Sequence, residues 1–126
     1  MIDIKVMPKL KPGAKVRVYE RVLIDLETGK KEKGKGKEKK ESKSSKERIS
    51  KFEGIILARK HGSEQGATFT VRATVAGVGV EKVYPIHSPL ISRVDIVSAP
   101  QRVRRAKLYY LRNLSAKGAR AKLETK

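Results

Sequence analysis

Cysteine is absent from this chain of 126 residues. Disulfide staples and thiolate zinc sites are therefore excluded, which fits a reducing cytoplasm. Tryptophan is absent too, and aromatic residues make up 5% of the chain. A core must then be built mainly from Val, Ile, Leu and Ala. No uncharged apolar run approaches the roughly 20 residues of a membrane-spanning helix. No apolar signal-peptide core follows Met1. The expectation is a cytoplasmic protein with no membrane partner. Negative charge is the scarcest commodity: 13 Asp or Glu face 31 Lys or Arg, for a formal charge of +18. Such an excess opposes compaction by self-repulsion unless a polyanion neutralises it. Nucleic acid is the usual polyanion, and an anionic membrane surface is second.

The excess is unevenly spread. Residues 1–29 and 49–98 carry +2 each, residues 30–48 carry +6, and residues 99–126 carry +8. Most of the charge thus lies outside the stretches that read as folded. Residues 29–47 contain only Lys, Glu, Gly and Ser. They cannot bury enough surface to offset their ordering entropy, and they read as a mobile basic loop between two strands. The division expected is an extension over residues 1–10, a β-domain over 11–99 with the loop at 29–47, and a basic helix and tail over 100–126.

The folded stretches alternate with period two. After the turn signal Lys11, Pro12, Gly13, the residues Val16, Val18, Val22 and Ile24 fall on one side. Lys15, Arg17, Tyr19 and Arg21 fall on the other, which predicts a half-buried strand with a basic outer face. Further strands are expected over residues 52–59, 67–75, 78–84 and 91–97. In the second of these Phe69, Val71, Ala73 and Val75 face inward. Five short strands joined by tight turns predict a mainly β fold, a small closed barrel. Gly54 and Gly79 suit its bends.

After Pro100 the period changes. Val103, Ala106, Tyr110, Leu111 and Leu114 make one helical stripe, and Arg102, Arg105, Tyr109 and Arg112 make another. A helix is expected here, ending or kinking at residues 116–118, with a basic tail beyond. Arginine binds phosphate with a planar fork and stacks on bases, and lysine adds a point charge. Tyr109 and Tyr110 can stack on bases or pack on the barrel. A basic segment with an apolar stripe needs a surface to dock on and an anion to face.

Catalytic readings fare poorly. Gly29 to Lys35 approximates a phosphate-binding loop, but Gly36 stands where Ser or Thr would bind magnesium, and no apolar strand feeds it. His61 and His87 are the only histidines, each in an expected turn without a neighbouring ligand. His87 and Ser88 lack an acid that would orient a triad. The expectation is no enzyme, no cofactor, no metal and no small-molecule substrate.

Five blocks carry a resemblance. They are Phe52-Glu-Gly-Ile-Ile-Leu-Ala-Arg59, Thr68-Phe-Thr-Val-Arg72, Gly77-Val-Gly-Val-Glu81, Tyr84-Pro-Ile-His-Ser-Pro89 and Val103-Arg-Arg-Ala-Lys-Leu-Tyr-Tyr-Leu-Arg112. In order and spacing they resemble the family of bacterial large-subunit ribosomal protein nineteen. The chain differs from that family in its short stretch before Lys11, in Ala14 after Pro-Gly, in the 29–47 insertion, and in the small residues at 115–120. The resemblance implies an SH3-like barrel with a C-terminal helix. It also implies a non-catalytic protein bound to large-subunit ribosomal RNA near the interface with the small subunit. Implied partners are that RNA, neighbouring ribosomal proteins and small-subunit RNA across the interface. The RNA-binding residues expected on the barrel are Lys15, Arg17, Arg59, Lys60 and Arg72. In the C-terminal segment they are Arg102, Arg104, Arg105, Lys107, Tyr109, Arg112, Lys117, Arg120 and Lys122. The rival readings are a DNA-binding or transcription-associated barrel module and a small hydrolase using His87.

Overall fold

Five antiparallel strands in the order β4-β3-β2-β1-β5 make one sheet. They are β1 (Lys15–Ile24), β2 (Lys46–Lys60), β3 (Thr68–Val75), β4 (Val78–Pro85) and β5 (Ile91–Ser98), followed by one helix, α1 (Ala116–Glu124). Short 3-10 turns occupy Met7–Lys9 and Tyr109–Asn113. This computed structural model describes residues 2, 7–24, 46–100 and 103–124. The approximate phosphate-loop motif and nearly all of the lysine-rich stretch lie outside the described residues, as does Arg102.

The period-two signals locate the strands well, and the mainly β expectation holds. Val16, Val18, Phe69 and Val71 are fully buried. Ile56, Tyr84, Ile86, Ile91 and Val94 join them, closed off by Ile2, Leu10 and Ala14. A fully buried side chain of this size contributes about 1.5–3 kcal/mol. The alternation outlasts the core, however. Val22 and Val75 keep the inward phase but are 41% and 53% exposed, because both hairpins run past the packed region.

The sheet is not closed into a barrel by hydrogen bonds; its order ends at β4 and β5. It curls strongly all the same. β1 and β4 are not neighbours, yet Lys82 Nζ lies 2.5 Å from Glu20 Oε1. The Lys82 ammonium also sits 5.1 Å from the centre of the Phe52 ring. Glu20, the residue that interrupts the apolar series of β1, thus caps the open end of the core. Burial and the nearby Glu20 carboxylate push the Tyr84 hydroxyl well above its ordinary pKa.

β2 begins at Lys46, earlier than its apolar run suggests. Its first residues pair with the end of β1, Leu23 with Glu47 and Ile24 with Lys46. The partner strand, rather than burial, supports that end. The middle of β2 is apolar without alternation: Ile55, Ile56, Leu57 and Ala58. Ile56 faces the core just described, whereas Leu57 faces a second cluster on the other side. An unbroken run of this kind marks a strand covered on both faces. Gly54 lies where a Cβ would strike the Arg72 backbone of β3, so the close approach of these strands requires glycine.

The C-terminal segment departs most from expectation. Residues 103–108 are not helical. The Leu108 N–H donates to Leu57 O at 2.8 Å instead of to an earlier turn of its own chain. The α-helix comes later, where a break and a tail were expected. Packing explains the reversal. Leu108, Leu111, Ala119 and Leu123 are buried against Leu57, which the whole segment achieves only by running along the sheet before it coils. Val103, Tyr110 and Leu114 of the expected stripe do pack there, whereas Ala106 is exposed. Gly13 adopts a φ of +88°, and a Cβ there would meet Val103 at 2.9 Å, so the first turn also makes room for this segment.

Candidate nucleic-acid interface

Two sets of cations present themselves, one on the sheet and one on the C-terminal segment. On the sheet, cross-strand register decides their state, because side chains directly opposite each other interact. Arg17 of β1 lies opposite Glu53 of β2. It donates to Glu53 Oε2 from Nε at 2.9 Å and from Nη2 at 2.7 Å. Lys15 Nζ takes Glu53 Oε1 at 2.8 Å. Lys15 and then Arg17 hold the Glu53 carboxyl down to about 2. Arg72 of β3 lies opposite Glu81 of β4 and donates to its Oε1 at 2.8 Å. Arg112 closes a fork on the same carboxylate, both contacts at 2.8 Å. Arg112 and Arg72 hold the Glu81 carboxyl below its usual range. The Arg112 carbonyl accepts from Arg72 Nη2 at 3.3 Å. Glu81 therefore ties the C-terminal segment to the sheet.

Arg59 is committed elsewhere. It donates to Met7 O at 2.8 Å and to Gly62 O at 3.0 Å, joining the first 3-10 turn to the β2–β3 connection. Lys60 beside it is exposed. So four of the five expected sheet cations are engaged within the molecule, and Lys60 alone faces solvent without a partner among the described residues.

The C-terminal set is different. Arg104, Arg105 and Lys107 are exposed on the extended stretch, and Lys117, Arg120 and Lys122 are exposed on α1. Arg104, Lys107, Lys117 and Arg120 meet no partner among the described residues. Ala119 and Leu123, four residues apart, bury the opposite side of α1. Both tyrosines pack against the second cluster. Each also carries a guanidinium: Arg105 lies 5.4 Å from the Tyr110 ring centre, and Arg112 lies 4.7 Å from that of Tyr109.

No arrangement of catalytic type appears among the described residues. His87 Nε2 lies 3.1 Å from Ser63 O, and Ser88 Oγ accepts from Leu90 N at 3.3 Å. The two side chains thus serve turns and not each other. No group of His, Asp and Glu that could hold a metal occurs among the described residues. No helix among them is long and apolar enough to cross a membrane.

The C-terminal apolar stripe was expected to dock, but the sheet side of the second cluster, signalled by the run from Ile55 to Ala58, was missed. Sequence reasoning also missed the two clamping carboxylates, which only register reveals. Tyr19, Lys51 and Arg93 went unassigned, although Tyr19 stands in the basic outer row of β1.

Fold and site together define a small β-domain that presents an acid-poor cationic appendage. Residues 36–124 match the model of the family described as ribosomal protein L19. The chain is 42% identical over 116 residues to the large ribosomal subunit protein bL19 of Nitratidesulfovibrio vulgaris strain Miyazaki F, covering 92% of this chain and 83% of that protein. The same protein of strains DP4 and Hildenborough is 40% identical over the same shares. The chain belongs to the ribosomal protein L19 family. It is accordingly a structural, non-enzymatic constituent of the large subunit of the cytoplasmic ribosome. That membership displaces the hydrolase and DNA-module readings.

Proposed function

We propose that this protein binds large-subunit ribosomal RNA near the interface with the small subunit and supports the contact between the subunits. Its partners on this reading are that RNA, neighbouring ribosomal proteins and small-subunit RNA across the interface. One observation carries the reading. Arg104, Arg105, Lys107, Lys117 and Arg120 all face solvent from a segment that Leu108, Leu111, Ala119 and Leu123 fix in place. Cations held in a defined pattern match a folded RNA surface, and phosphates take half or more of such contacts. Arg72 anchors that segment to the sheet through Glu81 and the Arg112 carbonyl.

Co-sedimentation tests the proposal. The protein should travel with large ribosomal subunits through a moderate-salt gradient, and chemical probing should show protection at the intersubunit face. A protein that washes off the subunits yet holds duplex DNA under the same conditions would defeat the reading.

A further inference from the structure

The face of β1 that looks away from the main core carries Lys15, Arg17, Tyr19 and Arg21. Near Leu57 this face of the sheet is covered by the C-terminal segment. Tyr19 is half-buried and belongs to neither apolar cluster. Register places Lys51 of β2 on one side of Tyr19 and Arg93 of β5 on the other. The Arg93 guanidinium stands 4.4 Å from the Tyr19 ring centre. It is 61% exposed and touches Asp95 at 3.3 Å. Lys51 and Arg21 are exposed, with no partner among the described residues. Lys15 and Arg17 share the single carboxylate of Glu53. Cations thus outnumber acids around a half-buried aromatic ring that lies outside both apolar clusters. Arg93 and then Arg17 also hold the Tyr19 hydroxyl below the ordinary phenol value.

A guanidinium held over a ring presents its own outer plane to solvent, backed by the ring beneath it. Bases stack on such surfaces without regard to sequence, and nearby lysines or arginines take the flanking phosphates. Single-stranded loops and bulges are the parts of folded RNA that can offer a base this way. We propose that the Tyr19–Arg93 pair is a second RNA contact, stacking one unpaired base of ribosomal RNA while Lys51 and Arg21 meet the adjoining phosphates; this rests on the RNA-binding reading above. The C-terminal segment and the Tyr19 face of the sheet then grip RNA from two separate surfaces.

The test uses the full chain and a transcript of large-subunit ribosomal RNA. Tyr19→Ala should weaken binding roughly tenfold, and Tyr19→Phe, which keeps the ring, should bind like the parent. The chain has no tryptophan, so Tyr19→Trp installs a unique fluorophore, whose emission should be quenched by the transcript. Arg104→Ala with Arg105→Ala is measured alongside. If that double variant binds more weakly while Tyr19→Ala binds like the parent and Tyr19→Trp is not quenched, the sheet contact is wrong and the C-terminal one stands. Quenching only after neighbouring large-subunit proteins are added would make the face a protein interface and also overturn the proposal. If the parent chain itself does not bind the transcript, both readings fall together.

Discussion

The sheet cations and the C-terminal cations are chemically alike and physically opposite. On the sheet, Arg17 and Arg72 are held by Glu53 and Glu81 at hydrogen-bond distance, and Arg112 is the C-terminal arginine that Glu81 draws into the same set. Arg104, Lys107, Lys117 and Arg120 have no such partner among the described residues. Local acid content makes the difference. Residues 49–98 hold four acids against six cations, whereas residues 99–126 hold one against nine. A cation already neutralised within the protein releases little from the RNA counterion atmosphere when RNA arrives, and an unpartnered one releases the most. On the proposed RNA-binding reading, the distribution of carboxylates is therefore a better guide than total charge to which cations are available for phosphate.

Undocking the C-terminal segment should have the largest effect. Leu108→Ala removes a buried side chain from the second cluster and should cost about 2–5 kcal/mol, read by chemical denaturation, with RNA affinity falling alongside. Leu90→Ala, at a position 56% exposed, should leave both unchanged. Equal effects from the two would show that the segment does not depend on this packing.

The next contrast concerns salt. Arg104→Ala with Arg105→Ala should lower the slope of log affinity against log salt by about 1.5, at roughly 0.7–0.9 per phosphate contact. Arg72→Ala should lower stability but barely move that slope. If Arg72→Ala flattens the slope as much, its pairing to Glu81 opens on binding and the division between the two sets fails.

Acid should erode only the paired set. The Glu53 carboxyl sits at about 2 in the folded protein, against 4.5 as its ordinary value. A depressed folded pKa adds stability that is complete above the unfolded value and lost as pH falls toward the folded one. Thermal unfolding should therefore show stability declining between about pH 4.5 and about 2, and Glu53→Gln should remove part of that decline. The same decline in the Glu53→Gln protein would assign it to other acids. The smallest effect belongs to Lys60→Ala, which should lower the salt slope by less than 1 with no change in melting temperature. Arg59→Ala, one residue away, should do the reverse, because its contacts with Met7 and Gly62 are internal.

Much of this architecture was legible in the chain. β1 spans the residues that its alternation marks, and β3, β4 and β5 lie within a residue of theirs, because a half-buried strand imposes period two on its own sequence. The start of β2 was not legible. Lys46, Glu47 and Arg48 bear no apolar signal, and their strand conformation comes from pairing with β1. The C-terminal stripe misled for a related reason. Spacing at i, i+3 and i+7 fits a helix, but Leu108 gains more by lying along Leu57, and a preference for helix of a few tenths of a kcal/mol per residue is easily overridden.

Local pattern alone specifies β1, β3, β4 and β5, the inward series of β1 and β3, the basic excess at the C-terminus and the family. Each of these is a local or compositional property, readable one residue after another. Packing in three dimensions settles which cations are neutralised, where the C-terminal helix begins and which aromatic lies outside both apolar clusters. Those outcomes depend on register and docking. Glu53 reaches Arg17 across 36 positions and Glu81 reaches Arg112 across 31, and no local pattern in the chain encodes which distant carboxylate will stand opposite which arginine.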